Sequence, residues 1–377
     1  MPSFKSKLLS GTIKSVKPLL SGIDISRQRK GMTMLGRLLP KPKDVKLEKA
    51  ADDCPLPARW AIPEGRVPDK VILYTHGGSY VSGSPETHEP LICRLAERCR
   101  VAVFAYDYRL APEHPYPAAL QDAQAAYDYL LGAGYAAGDI VICGDSAGGG
   151  LTLALAMSLQ ERGIPLPASI VLLSPWTDLS ESLDSHYSRA ADDPILSSEE
   201  LRETALLYAG GEDLKNPYLS PLHGDFSGFP PVLIQVGTDE VLLDDSRELA
   251  VRMDAQGLDV DIDIYEGMWH VWHLYDVPES HQAMDKIKWF VCVTTHIDGL
   301  EKRVIHPGGI YRHFKGRRYR VLHVARHSET LEELVVYQQL YGEHGIWVRP
   351  LEMFLGTVER DGKMRYRFEE ETEDPIE

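Results

Sequence analysis

From about Lys70 onward, short apolar runs alternate with longer amphipathic stretches. VILYTHGG (from Val71), VAVFAYDYR (from Val101), DIVICGDS (from Asp139), SIVLLSPW (from Ser169) and PVLIQVGTDE (from Pro231) are nearly continuous in apolar residues. Runs of that length and composition predict strands covered on both faces. VDIDIYEGMWH (from Val260) instead alternates apolar and polar positions, which predicts a strand nearer the edge. Between the runs lie stretches of helical length and periodicity, among them ETHEPLICRLAERC, AALQDAQAAYDYLLGAG, LTLALAMSLQERG and SRELAVRMDAQG. Strand, helix, strand in this order predicts an α/β fold, a mostly parallel sheet with helices on both faces. In such sheets ligands and chemistry collect in the loops at the carboxyl ends of the strands.

Three segments break the alternation. Residues 1–50 read as cap helices, with Phe4, Leu8, Ile13, Val16 and Leu20 at near-helical spacing, a helix expected to lie on the body of the protein. Residues 179–225 are polar and helix-prone, punctuated by Pro194, Pro217 and Pro221, and read as a cap insertion within a catalytic domain spanning 51–298. Residues 303–367 read as a small, mainly-β C-terminal domain, followed by an acidic tail over 368–377.

Composition narrows the function classes. A hydrophobic fraction of 44% and a charged fraction of 25% are those of an ordinary globular protein. The net charge of −16 argues against a chain that coats nucleic acid or an anionic membrane. No apolar run is long enough to span a bilayer. Five scattered cysteines, with no Cys-x-x-Cys pair, fit reduced thiols in a cytoplasm and offer no zinc site.

The apolar run before residue 144 breaks into Gly144-Asp145-Ser146-Ala147-Gly148, followed at once by a helical stretch. A phosphate loop is excluded, because no Gly-Lys-Ser/Thr follows at the required spacing. Gly-x-Ser-x-Gly between a strand and a helix is the pattern of a nucleophile elbow, whose small neighbours let a sharp turn present the serine oxygen. A serine hydroxyl needs a base, and in this fold the chain order is serine, acid, histidine. Asp239 follows the strand PVLIQVG and His270 follows the next strand, so Ser146, Asp239 and His270 are the expected catalytic residues. Asp178, Asp244 and Asp245 are rival acids, and His273 is expected at the surface or behind the site. Acyl transfer also needs donors for an oxyanion; His76-Gly77-Gly78 ends the first strong strand, so the N–H groups of Gly77, Gly78 and Ala147 are the expected set. Ser79, Tyr80, Asp145, Trp176 and Val271 are the expected pocket residues.

HGGSY, YDYRLAPEHPYPAALQDA, GDSAGG, SPWTDLS, GTDEVLLDD and MWHVWH, in that order and spacing, resemble the bacterial hormone-sensitive-lipase-like family of α/β-hydrolases. The resemblance covers roughly residues 20–295. It implies ester hydrolysis of short acyl chains without cofactor or metal, under a cap built from the N-terminus and the insertion. It carries the catalytic roles onto Ser146, Asp239 and His270, and implies that Arg109 and Glu113 fix a loop beneath the site. The family's common third glycine is Ser79 here, which is expected to favour small acyl groups such as acetyl. The expected partner is therefore a small acylated substrate; an amidase or a noncatalytic small-molecule binder is the alternative.

Residues 302–327 carry eight Lys or Arg and no Asp or Glu, interleaved with Tyr311, Phe314 and Tyr319. That stretch is the one hint of nucleic acid, set against the overall acidity; a solvated basic face is the expected reading. The segment also resembles a short bacterial domain of uncharacterised function, and a homo-oligomer is compatible with it.

Overall fold

The computed structural model describes residues 2–20, 22, 24–299, 303–327, 333–360 and 363–371. Contacts divide the chain into two compact units, Met1–Val291 and Cys292–Glu377.

The first unit begins with two helices, α1 (Phe4–Leu20) and α2 (Ile25–Leu38). Then come β1 (Val45–Lys49), β2 (Ala58–Pro63), β3 (Val71–Thr75), α3 (Glu89–Cys99), β4 (Ala102–Tyr106), α4 (Ala118–Gly132), β5 (Ile140–Asp145), α5 (Ala147–Glu161) and β6 (Ser169–Leu173). The insertion supplies α6 (Ser185–Ser188) and α7 (Ser198–Ala209); β7 (Val232–Gly237), α8 (Leu243–Ala255), β8 (Val260–Tyr265) and α9 (Pro278–Thr294) complete the series. The eight strands form one sheet in the order β1-β2-β4-β3-β5-β6-β7-β8. From β4 to β8 every pairing is parallel, whereas β2 runs antiparallel to both its neighbours. The continuous apolar runs are the central strands, and every residue of β3, β4, β5, β6 and β7 is buried. The alternating run is β8, at the edge and only partly buried.

Two expectations for the N-terminus need correction. Residues 1–50 are not helical throughout, because Val45–Lys49 is the edge strand β1; with only Val45 and Leu47 apolar, it carries little signal. The helix α1 does lie on the body, but through Leu9 and Ile13, which pack beside Met268, Trp269 and Trp272. Phe4, Leu8 and Val16 of the expected apolar stripe are exposed. Ser3 and Ser6 donate to the Glu279 carboxylate, and Lys17 Nζ donates to the carbonyls of Asp193 and Leu196. Among the described residues, no helix is long and apolar enough to cross a membrane.

The caps are tied to the loops at the strand ends. From α2, Arg29 donates to the Val81 carbonyl (2.7 Å), the Ala111 carbonyl (3.0 Å) and both oxygens of Glu113 (2.8 Å). From α7, Tyr208 lies flat on Tyr80, ring centroids 3.7 Å apart. Arg109 grips Asp122 through both Nε and Nη2 and fixes the intervening loop.

The second unit is antiparallel. It contains β9 (Ile310–His313), β10 (Arg318–Arg326), β11 (Glu333–Gln339), β12 (Ile346–Pro350), α10 (Leu351–Leu355), the hairpin of β13 (Thr357–Arg360) and β14 (Lys363–Tyr366), and β15 (Phe368–Glu370). Its sheet has the order β12-β11-β10-β9-β15 around a core of Ile305, Tyr311, Val321, Val335, Tyr337, Phe354 and Phe368. The division between units falls at Val291, inside α9, rather than near residue 300. The acidic tail also begins later than expected. Phe368 is a buried core residue, its strand pairs with β9, and Glu371 binds both Arg312 and Arg318. The remainder of that tail, 372–377, lies outside the described residues.

Candidate active site

Ser146 stands between β5 and α5 at φ 54, ψ −125, a conformation a non-glycine residue holds at a cost on the order of 1–3 kcal/mol. Its surroundings hold it there. The Ser146 N–H donates to the Leu173 carbonyl, and its own carbonyl accepts from Trp176 and Gly149, each at 2.9 Å. Close packing explains the small neighbours: a Cβ on Gly148 would meet the Thr75 carbonyl oxygen at 2.1 Å. The turn therefore needs glycine where the helix crosses the strand ends.

His270 lies in the loop after β8, 5% exposed, and its Nδ1 is 2.8 Å from Glu240 Oε2. This is a correction, since Asp239 was the expected acid. The Asp239 N–H donates to the Met268 carbonyl, and its carboxylate accepts from the Thr238 hydroxyl at 2.9 Å. The turn after β7 aims Asp239 sideways and carries Glu240 inward, where its other oxygen accepts from Gly237 N–H (2.6 Å) and Ser174 Oγ (2.9 Å). The rival acids serve elsewhere. Asp178 accepts from Ser180 and Ser182, Asp244 from Ser185 N–H, and Asp245 from the N–H groups of Thr177 and Asp178 while pairing with His186.

Burial pushes the Glu240 carboxyl up, opposed by its bonds to His270 and Gly237. For His270, burial disfavours the charged ring, but the hydrogen bond and charge of Glu240 outweigh it and raise the imidazole above its ordinary value. His273 is not a surface residue. It is wholly buried, Nε2 meets Gln235 Oε1 at 3.1 Å, and burial drives its pKa down to about 3.

The oxyanion set also changes. Gly77 N–H is already committed to Asp145 Oδ1 at 2.9 Å, so it is not a free donor. Gly78, Ser79 and Ala147 make no hydrogen bond through their N–H groups to any described residue. Gly78, Ser79 and Tyr80 all take positive φ (119°, 54° and 61°), which bends the loop across the strand ends. Gly77 itself sits so near the elbow that an added Cβ would lie 3.0 Å from Ser146 Cβ.

Asp145 is a second correction to the pocket. Its buried carboxylate is taken up by Gly77 N–H, the Tyr74 hydroxyl and His88 Nε2 at 3.3 Å. Burial would raise that carboxyl; the charge of His88 and the hydrogen bonds hold it below its ordinary value. It ties the glycine loop to the elbow. His76, stacked on Tyr108 at 4.2 Å, is kept neutral by burial, with its pKa lowered to about 3. Of the other expected pocket residues, Tyr80, Trp176 and Val271 are buried, whereas Ser79 keeps partial exposure. Among the described residues, no cluster of His, Cys, Asp or Glu could hold a metal ion.

Residues 72–274 match the family model described as alpha/beta hydrolase fold, which is more than half the chain. The chain belongs to that family. Within it, this hydrolase is similar to an acetyl-hydrolase of Streptomyces hygroscopicus, 42% identical over 240 residues, covering 63% of this chain and 80% of the relative. An esterase of Acinetobacter venetianus is 33% identical over 297 residues, covering 76% and 94%. Among solved structures, an esterase from the bacterial hormone-sensitive lipase family superposes with a TM-score of 0.74 at 38% identity, covering 77% of this chain and 98% of that one. Residues 309–370 match a family of unknown function, DUF1653, within the second unit of the hydrolase.

Proposed function

We propose that this hydrolase is a serine carboxylesterase acting on short-chain, acetyl-type esters. The observation that carries the reading is the Glu240–His270 bond, which fixes the imidazole through Nδ1 and leaves Nε2 as its basic nitrogen. Ser146 Oγ attacks the ester carbonyl while His270 Nε2 takes its proton, and Glu240 stabilises the imidazolium. The developing oxyanion is met by the N–H groups of Gly78, Ser79 and Ala147. Collapse breaks the bond to the alkoxy oxygen, which leaves with the proton from His270. Water then attacks the acyl-serine with His270 again as base, releasing the acid and restoring Ser146.

His270 must be neutral in the free enzyme to act. Because Glu240 raises its pKa, kcat/KM is expected to climb with pH through one acid limb centred above 6.5. A pH–rate profile with its limb well below that value would contradict the pairing.

Short acyl preference rests on Ser79, whose side chain stands in the oxyanion loop, and on the Tyr80–Tyr208 stack behind it. The relatives named acetyl-hydrolase and esterase agree with it. Across p-nitrophenyl acetate to decanoate, kcat/KM is expected to fall at least about tenfold between butyrate and octanoate, in line with a pocket's discrimination among methylene homologues. Comparable rates on acetate and octanoate would overturn the short-acyl reading.

A further inference from the structure

The basic residues of the C-terminal unit are not used alike. Arg312 and Arg318 close on Glu371, and Arg326 meets Glu333. Lys315 from the same run, with Arg349 from β12 and Arg367 from the bend between β14 and β15, has no carboxylate partner among the described residues. All three lie near His313: Lys315 is two residues on, the Arg367 carbonyl accepts from Phe314 N–H at 2.9 Å, and Arg349 shares the Phe368 ring with His313. The Phe368 ring is the floor for two members, with the His313 ring 4.8 Å from it and the Arg349 guanidinium 5.7 Å from it, while Lys315 Nζ lies 5.6 Å over Phe314. Arg349 Nε donates to the Tyr337 hydroxyl and Nη1 to Met353 Sδ, both at 3.3 Å, which fixes the guanidinium and leaves Nη2 for a ligand. Arg367 Nε is buried with no hydrogen-bond partner. Burial first, then the charges of Arg349, Arg367 and Lys315, hold the His313 imidazole below its ordinary pKa. Partly desolvated like charges repel, and a fold keeps them together most readily when an anion neutralises them.

We propose that His313, Lys315, Arg349 and Arg367 form a binding site for a compact, multiply charged anion, a phosphate group borne by a small molecule. Two arginines and a lysine supply the fork and point charges that phosphate oxygens accept. The cluster is a focus rather than a track. Three other arginines of the basic stretch are held by glutamates and the chain as a whole carries a net charge of −16, which favours a compact anion over a nucleic-acid backbone. This inference is independent of the ester chemistry, since no residue of the candidate active site takes part in it.

The test uses the full chain. Inorganic pyrophosphate is titrated while the His313 imidazole proton, assigned by His313→Gln, is followed by NMR. A saturable shift that moves the His313 pKa upward is expected, and Lys315→Gln and Arg349→Gln should each weaken binding at least about tenfold. Lys315 is exposed, so its variant should fold, and unchanged ring-proton shifts of the second unit's core aromatics, Tyr337 and Phe354, check that both variants keep that unit folded. ADP binding more tightly than pyrophosphate would support the site and assign its phosphate to a nucleotide. No saturable shift, or unchanged affinity in Lys315→Gln, would overturn the site. Tighter binding of a single-stranded oligonucleotide, falling steeply with salt, would replace the compact anion by a nucleic-acid strand.

Discussion

Ser146→Ala is expected to lower kcat on p-nitrophenyl acetate by about 10⁶-fold, the scale of loss when a triad nucleophile is removed. The fold should survive the change. Alanine must adopt the same φ of 54, but the hydrogen bonds that hold the elbow run through the backbone of residue 146 and are untouched. Only the hydroxyl is lost, and with it the atom that forms the acyl intermediate. Steady-state kinetics beside circular dichroism check both halves. A variant that keeps activity within tenfold of wild type would remove Ser146 from the chemistry.

Glu240→Gln is expected to cost about 10⁴-fold in kcat, while Asp239→Asn should stay within about tenfold of wild type. Glu240 is fully buried and accepts from three groups: Gly237 N–H, Ser174 Oγ and His270 Nδ1. Glutamine keeps the volume but presents one amide group that donates. It removes the charge that stabilises the imidazolium and favours the wrong ring tautomer. Among the described residues, the Asp239 carboxylate accepts only the hydroxyl of its neighbour Thr238, and it is half-buried, so losing its charge leaves His270 where it is. The acid limb of the pH–rate profile should also move to lower pH in Glu240→Gln, because the pull that raises His270 is gone. The reverse pattern of losses would restore Asp239 as the acid.

That contrast marks the limit of what the chain discloses by itself. The central strands were legible because each of β3 to β7 is buried on both faces and admits little but apolar residues. Alternation likewise placed β8 at the edge. Ser146 was legible because a sharp strand-to-helix turn demands glycine on both sides of it. Asp239 and Glu240 were not separable, since two adjacent carboxylates after one strand differ only in which way the turn rotates them. The run GTDE contained the right residue, but the direction of its side chain is a tertiary fact. The same holds for Gly77 and Asp145. Nothing in HGGSY or GDSAGG says that the Asp145 carboxylate consumes the first glycine's N–H and so shifts the open donors to Gly78 and Ser79. Phe368 was hidden by its acidic neighbours, of which Glu371 is spent on Arg312 and Arg318 and Glu370 on His306 across the sheet.

The most direct test of a serine hydrolase here is active-site labelling. The full chain is treated with phenylmethylsulfonyl fluoride, and adduct mass, labelled peptide and residual esterase activity are measured together. One sulfonyl group per chain is expected, on the peptide containing Ser146, with activity lost in proportion to labelling and no labelling in His270→Ala. Full esterase activity after stoichiometric modification of Ser146, or inactivation that tracks a label on another residue, would contradict it.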